Sequence, residues 1–214
     1  MAKAASQALA AILDAVAAGH FPASDGRVTI LSQVSARDAG VIAFAGHSVI
    51  FADADPTWVA RQLPDGDLAA PMSPPFLAAL GARTGRVPHA TDILTCAPAL
   101  PGGPDLDFTA EADPGHPRIV RARGYRDEIR AWQAPGGVVL IGRGIAGRWE
   151  VAVEVDEDQR GHGLGRSLAL AARHLVPGGA PLWAQISPGN AASVRAFLAA
   201  GFQPVGSEAL LTPA

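Results

Sequence analysis

The sequence predicts an α/β protein: a mixed, mostly antiparallel sheet flanked by helices, with an α/β extension over residues 1–100. Three observations predict it. Residues 128–155 hold three apolar runs separated by short turns, the pattern of consecutive antiparallel strands. The last run, Trp149–Val155, alternates and ends in a glycine-rich stretch that opens a helical pattern. Upstream, short β-branched runs alternate with amphipathic or proline-started segments, which mixes the two element types along the chain.

Residues 4–18 read as an amphipathic helix, with Leu9, Ile12, Leu13 and Val16 on one stripe and Gly19 as the stop. Residues 28–31, 41–44 and 48–52 read as short strands. Asp55-Pro56 is an N-cap followed by proline at the first helical position, so 56–63 should be helical. Residues 64–75, rich in Pro, Gly and Asp, read as a loop, at whose end Ser73-Pro74-Pro75 starts a helix that stops near Gly81 or Gly85. A second break falls at 98–106. Then come an arginine-rich helix over 117–125, a strand over 128–134, a turn at 135–137 and a partner strand over 138–143. The central strand Trp149–Val155, a helix over 167–175, a strand over 181–186, a helix from Asn190 and a last strand complete the order.

With 214 residues, 49% hydrophobic and 17% charged, the chain is long enough for one large domain or two small ones. A net charge of −3 gives no sign of nucleic-acid binding, which would favour a basic face. The single cysteine, Cys96, excludes an internal disulfide and a Cys-rich zinc site. The sequence has no uninterrupted apolar run of membrane-spanning length, and Asp14 breaks the apolar stretch near the N-terminus, so no membrane association and a cytoplasmic location are expected. Monomer and homodimer both remain open.

The most informative stretch is Gln159-Arg160-Gly161-His162-Gly163-Leu164-Gly165-Arg166. A glycine-rich turn between a strand and a helix turns several N–H groups into one concavity at the positive end of the helix dipole, which suits a pyrophosphate. Glycine at alternate positions lets the ligand approach the main chain without meeting a Cβ. A phosphate loop of the Walker type needs a lysine where Arg166 stands, and a dinucleotide loop needs a G-x-G-x-x-G spacing with a later acidic residue that 183–187 lack. Downstream, Asn190 is a suitable N-cap, Val194, Phe197 and Leu198 share one helix face, and Gly201 stands where a helix C′ residue is expected.

The Arg160-x-x-Gly163-x-Gly165 loop, followed by helix, strand and a helix running from Asn190 to Gly201-Phe202, resembles the GNAT superfamily of N-acetyltransferases. The resemblance is strongest over 138–202 and implies a GNAT-type sheet, with 101–214 as the acetyl-CoA-binding catalytic domain. Residues 1–100 would be either a diverged second half or a cover for the acceptor site. It implies acetyl-CoA as cofactor and a small-molecule or peptide amine as acceptor, attacked directly in a ternary complex. Main-chain groups of Val153 and Val155 would pair with the pantetheine arm, Val153 donating to the acetyl carbonyl. The pyrophosphate would lie over Arg160, Gly161, His162, Gly163, Leu164, Gly165 and Arg166, and Asn190, Ser193 and Phe197 would line the cofactor from the second helix. In many relatives Phe197 is a tyrosine that protonates the departing thiolate; phenylalanine cannot, which leaves Tyr125, water or an unprotonated thiolate.

Several roles stay open on the residues alone. Arg160 and His162 either touch phosphate or are solvated, and Asn190 is at least an N-cap. Glu150 and Glu154 share one face of the central strand, and Glu154, nearer the acetyl position, is the candidate base; the other reading is a salt-bridged or exposed strand face. Arg118, Arg121, Arg123, Arg126 and Arg130 either meet an acidic substrate or the cofactor 3′-phosphate, or form a solvated face. Beside the enzyme stands a second class of function, a non-catalytic acyl-CoA-binding sensor or interaction module.

Overall fold

Contacts within the computed structural model, which describes residues 2–64 and 66–214, divide the chain into two units. Position 65, within the expected loop 64–75, lies outside the described residues. One unit comprises the residues up to Leu94 together with Val205–Ala214; the other is Thr95–Pro204.

The first unit opens with α1 (Ala2–Ala17), which buries Leu9, Leu13 and Val16 and leaves Ile12 half-buried. Strands β1 (Val28–Leu31), β2 (Ala39–Phe44) and β3 (His47–Phe51) follow, β1 parallel and β2 antiparallel to β3. Helix α2 (Pro56–Gln62) has the expected start: Asp55 accepts a hydrogen bond from the Trp58 N–H at 2.9 Å, with Pro56 behind it. A short 3-10 turn, Ala70–Met72, leads to α3 (Pro74–Thr84), capped by Ser73 and closed by Gly85 in the left-handed conformation. Val59, Phe76, Leu77 and Leu80 from these helices pack on Val41, Ile50, Ala209 and Leu211.

Strand β4 (Arg86–Ala97) has no counterpart in the sequence reading, because Pro88, His89 and Asp92 break its apolar pattern. Arg86 secures its start by donating to the carbonyls of Ala36, Arg37 and Leu211 at 2.7–2.9 Å.

In the second unit, the short β5 (Ala110–Glu111) pairs with β6 (Asp127–Ala134), and α4 (Pro117–Ala122) lies between them in sequence. α4 is three residues shorter than the expected 117–125 helix: its C-cap is Arg123, and Gly124 follows. Antiparallel β7 (Gly137–Arg143) pairs with β6 on one side and β8 (Trp149–Val155) on the other. Then come α5 (Leu164–Leu175), β9 (Leu182–Ile186) and α6 (Ala191–Ala199), with β9 parallel to β8 across the α5 connection. The observed class is the expected one, a mostly antiparallel mixed sheet flanked by helices.

The last strand, β10 (Gln203–Pro213), starts in this unit, but its residues Ser207–Leu211 pair with β2, which groups them with the first.

Alternation along β8 sends its side chains to two sides. Val151 joins Leu168, Ala169 and Ala172 of α5 and Phe197 of α6 in one core, with Val153 and Val155 packed against it. Ala152 joins Val138, Leu140 and the α4 residues Ile119 and Ala122 in another. At the end of α6, Gly201 has φ +87°, and an added Cβ would lie 2.4 Å from the Arg173 guanidinium, which donates to the Ala200 carbonyl at 2.8 Å. Only glycine satisfies both the backbone and that contact.

Candidate functional site

A cleft of about 780 Å³ opens at the C-terminal end of β8, walled by the glycine loop, the first turn of α5 and the exposed side of α6. One backbone feature creates it. β8 is paired with β7 along its whole length, from Trp149 to Val155. With β9 it pairs only at Trp149 and Glu150. The Asp156 N–H donates to the Gly136 carbonyl at 2.8 Å, and the Glu154 carbonyl lies against Gly137 on the same side. By alternation the main-chain groups of Val153 and Val155 point the other way, where no strand pairs with them.

The loop beside this gap is built by backbone conformation. Gly161 and Gly163 have φ of +84° and +90°, a region that strains any residue with a Cβ, and the space where those Cβ atoms would stand is empty. Gly163 is the N-cap of α5 and supplies no side-chain cap; its carbonyl accepts from the Arg166 and Ser167 N–H groups. Among the described residues, no main-chain acceptor takes the N–H groups of residues 161–165. N–H donors without main-chain acceptors at the positive end of a twelve-residue helix are suited to an anion.

Of the residues nominated from sequence, Val153, Glu154, Val155, Arg160, Gly161, Gly163, Leu164, Gly165, Arg166, Asn190, Ser193 and Phe197 all line this one cleft. His162 is exposed on the loop and is not part of the wall. Arg160 folds back, its Nε donating to the Val155 carbonyl at 3.3 Å. Asn190 is the N-cap of α6, its side chain accepting from the Ser193 N–H at 3.0 Å. Phe197 is buried and meets Phe202 edge-on at 5.0 Å between ring centroids, so it serves as packing as well as wall.

Gln159, Ala192, Arg195 and Ala196, which the sequence did not single out, complete the wall. A signal existed for two of them: Ala192 and Ala196 stand four apart on the helix that Asn190 caps, and small residues leave room for a ligand there. With Arg195, three arginines and one carboxylate, Glu154, line the cleft.

The two glutamates of β8 have different surroundings. Glu150 is 3% exposed; Arg148 Nε lies 2.8 Å from one carboxylate oxygen and Arg126 Nε 3.0 Å from the other. Burial alone would raise its pKa, but the two guanidinium groups outweigh burial and hold it below the ordinary value. Glu150 is therefore an ionised structural group with both oxygens engaged. Glu154 is exposed and faces neither cation at ion-pair distance.

The five arginines of 118–130 likewise separate. Arg126 belongs to Glu150. Arg121 and Arg123 are exposed, and the Arg130 guanidinium stands 5.8 Å from the Trp149 ring centroid. Arg118 is half-buried; burial, then the Arg126 charge, disfavour its cation, and Glu154 partly offsets them. Arg123, Arg126 and Arg130 also face a second concavity of about 600 Å³ over β5, α4 and β6, together with Glu111, Glu128 and Trp132.

Tyr125 is half-buried in the turn after α4 and is not part of the first cleft's wall. Cys96 is buried, and burial pushes its thiol up to about 12, so it is no nucleophile at neutral pH. Among the described residues, no cluster of three or more His, Cys, Asp or Glu could hold a metal ion, and no helix is long and apolar enough to cross a membrane.

No protein-family model matches the sequence, and no curated protein matches it. Solved structures do. The chain is similar to a GCN5-related N-acetyltransferase from Kribbella flavida, at 20% identity and a TM-score of 0.42, over 65% of each chain. It is also similar to a GNAT-family acetyltransferase from Colwellia psychrerythraea, at 12% identity and a TM-score of 0.40, over 64% of this chain and 61% of that one. A GCN5-related N-acetyltransferase from Sphaerobacter thermophilus matches at 14% identity and a TM-score of 0.39, over 65% of this chain and 56% of that one. In each case less than two thirds of the other protein's length is spanned. The functional reading therefore stands on the chain's own geometry.

Proposed function

We propose that the chain is an N-acetyltransferase of the GNAT type, which binds acetyl-CoA in the cleft at the end of β8 and transfers the acetyl group to an amine. The observation that carries this reading is the juxtaposition of two sets of backbone groups that, among the described residues, have no main-chain partner. The unpaired edge of β8 at Val153 and Val155 runs directly into a loop whose N–H groups at 161–165 have no main-chain acceptor. An extended arm ending in a pyrophosphate matches both, the arm as an added strand and the phosphates on the helix N-terminus.

The residues fit that ligand. Gly161 to Arg166 would hold the pyrophosphate, with Arg166 and Arg195 on the rim. Acetyl-CoA supplies a thioester whose carbonyl is open to an amine. The Val153 N–H would donate to the carbonyl oxygen, where negative charge develops. Glu154, exposed on the cleft wall, would take the ammonium proton, directly or through water. The amine nitrogen then bonds to the carbonyl carbon, the C–S bond breaks, and the sulfur leaves as thiolate. Phe197 offers it no proton, so departure relies on the low basicity of a thiolate; free thiols have a pKa of about 8.5.

Gly163→Val tests the loop. The substitution puts a β-branched residue at a φ of +90° and a side chain into the space above the loop. Affinity for acetyl-CoA is expected to fall at least about tenfold, or 1.4 kcal/mol. Unchanged affinity by calorimetry, in a variant shown to be folded, would remove the assignment.

The second reading, a sensor that binds acyl-CoA without turnover, is favoured by one observation: Phe197 is committed to packing on Phe202 and provides no acid. Thiol release from acetyl-CoA with a panel of amines separates the two. Binding without release would establish the sensor.

A further inference from the structure

We infer that the acceptor carries an anionic group beside its amine and that Arg118 recognises it; this rests on the acetyltransferase reading above. Arg118 stands in the first turn of α4, whose Ile119 and Ala122 pack on Val138, Leu140 and Ala152. Val138 is the register partner of Glu154, so α4 brings Arg118 to the side of the sheet on which Glu154 projects. No ion pair closes between the two side chains, and Glu154 lines the cleft while Arg118 stands on α4 and is not part of its wall.

Arg118 also lacks what every other inward-facing arginine of this unit has. Arg126 and Arg148 are paired with Glu150, and Arg173 donates to two carbonyls. The Nε of Arg118 is buried without a partner, and among the described residues its guanidinium makes no hydrogen bond or ion pair. Holding an unpaired cation partly out of water costs stability, and packing alone would be served better by an apolar side chain.

An arriving ligand resolves the arrangement. Its ammonium group meets Glu154 at the cleft, and an anion on the same molecule completes Arg118. A guanidinium binds carboxylate or phosphate through parallel N–H donors. The preferred acceptor is thus a zwitterion, with the reactive amine at one end and a carboxylate or phosphate at the other.

The test compares size-matched amines with acetyl-CoA: β-alanine and phosphoethanolamine against propylamine, and phenylalanine against phenethylamine. At least one anionic acceptor should exceed its neutral partner about tenfold or more in kcat/KM, and whichever pair shows the preference identifies carboxylate or phosphate. In Arg118→Met the preference should collapse towards unity while acetyl-CoA affinity is unchanged, and Arg118→Lys should keep part of it. Thermal unfolding of Arg118→Met should be at wild-type temperature or above, since an unpaired cation is removed; an arginine held for structure would lower it.

Equal use of neutral and anionic amines, or a preference that survives Arg118→Met, overturns the inference. Should no amine turn over although acetyl-CoA binds, calorimetric titration of the acetyl-CoA complex with the same amines decides it. Binding of an anionic amine that Arg118→Met abolishes supports the inference, and its absence overturns it. Failure of acetyl-CoA itself to bind removes the acetyltransferase reading, and the inference with it.

Discussion

Arg148→Met is expected to destabilise the protein by about 1–3 kcal/mol, the cost of removing one charged partner from a buried carboxylate that keeps another; a carboxylate left wholly unpaired would cost about 3–5 kcal/mol. Arg148 and Glu150 are both almost wholly inaccessible, and Arg148 Nε lies 2.8 Å from the carboxylate. Methionine keeps the packing, including the place above the Trp183 ring, whose centroid is 5.3 Å from the guanidinium. It leaves Glu150 with Arg126 as the remaining ion-pair partner. Urea unfolding at neutral pH should show the loss as a lower midpoint with an unchanged slope. A shift of less than about 1 kcal/mol would mean that the network contributes as little as a surface ion pair.

The same network gives a signed pH dependence. The folded-state pKa of Glu150 lies below its ordinary value of 4.5, so the unfolded chain binds the proton more readily. The contribution of Glu150 is therefore complete above about 4.5 and is lost as pH falls from there through the folded-state value. Glu150→Gln removes this term. Its stability should be lower at neutral pH and should decline less steeply than wild type in acid, and parallel profiles would refute the assignment.

Glu154→Gln is expected to lower kcat for amine acceptors by about 10²–10⁴-fold, the usual cost of losing a general base. Affinity for acetyl-CoA should stay near wild type, because the groups assigned to the cofactor are the main chain at Val153 and Val155 and the loop 160–166. Stability should also change by no more than about 0.5 kcal/mol, since Glu154 is exposed. Single-turnover rates and calorimetry on the same variant separate these effects. Normal turnover from about pH 6 to 9 would pass the proton to water and leave Glu154 without a catalytic role.

The two β8 glutamates also show where reading the sequence stops. Their even spacing places them on one side of the strand, and that much is visible in Trp149–Val155. Their different fates depend on Arg126, which arrives from another element, and on the distance of each from the cleft. A carboxylate in a ladder of valines carries no mark of which arginine will find it. The arginine segment is a similar case. Five cations read as one stripe, yet they divide among a buried carboxylate, a tryptophan ring, solvent and an unpaired site on α4.

The loop 159–166, the caps at Asp55, Ser73 and Asn190, and the helix end at Gly201 were legible because each depends on residues within a few positions. A cap bond runs from residue i to i+3, and a positive φ belongs to one glycine. The sequence by itself thus determined the glycine turn between β8 and α5 and the helix that completes the cleft wall. Only the tertiary structure placed β4, whose start is fastened by Arg86 to carbonyls at positions 36, 37 and 211. Only the tertiary structure paired β10 with β2 and parted β8 from β9 after Glu150. These are contacts between residues far apart in the chain, which local periodicity does not encode.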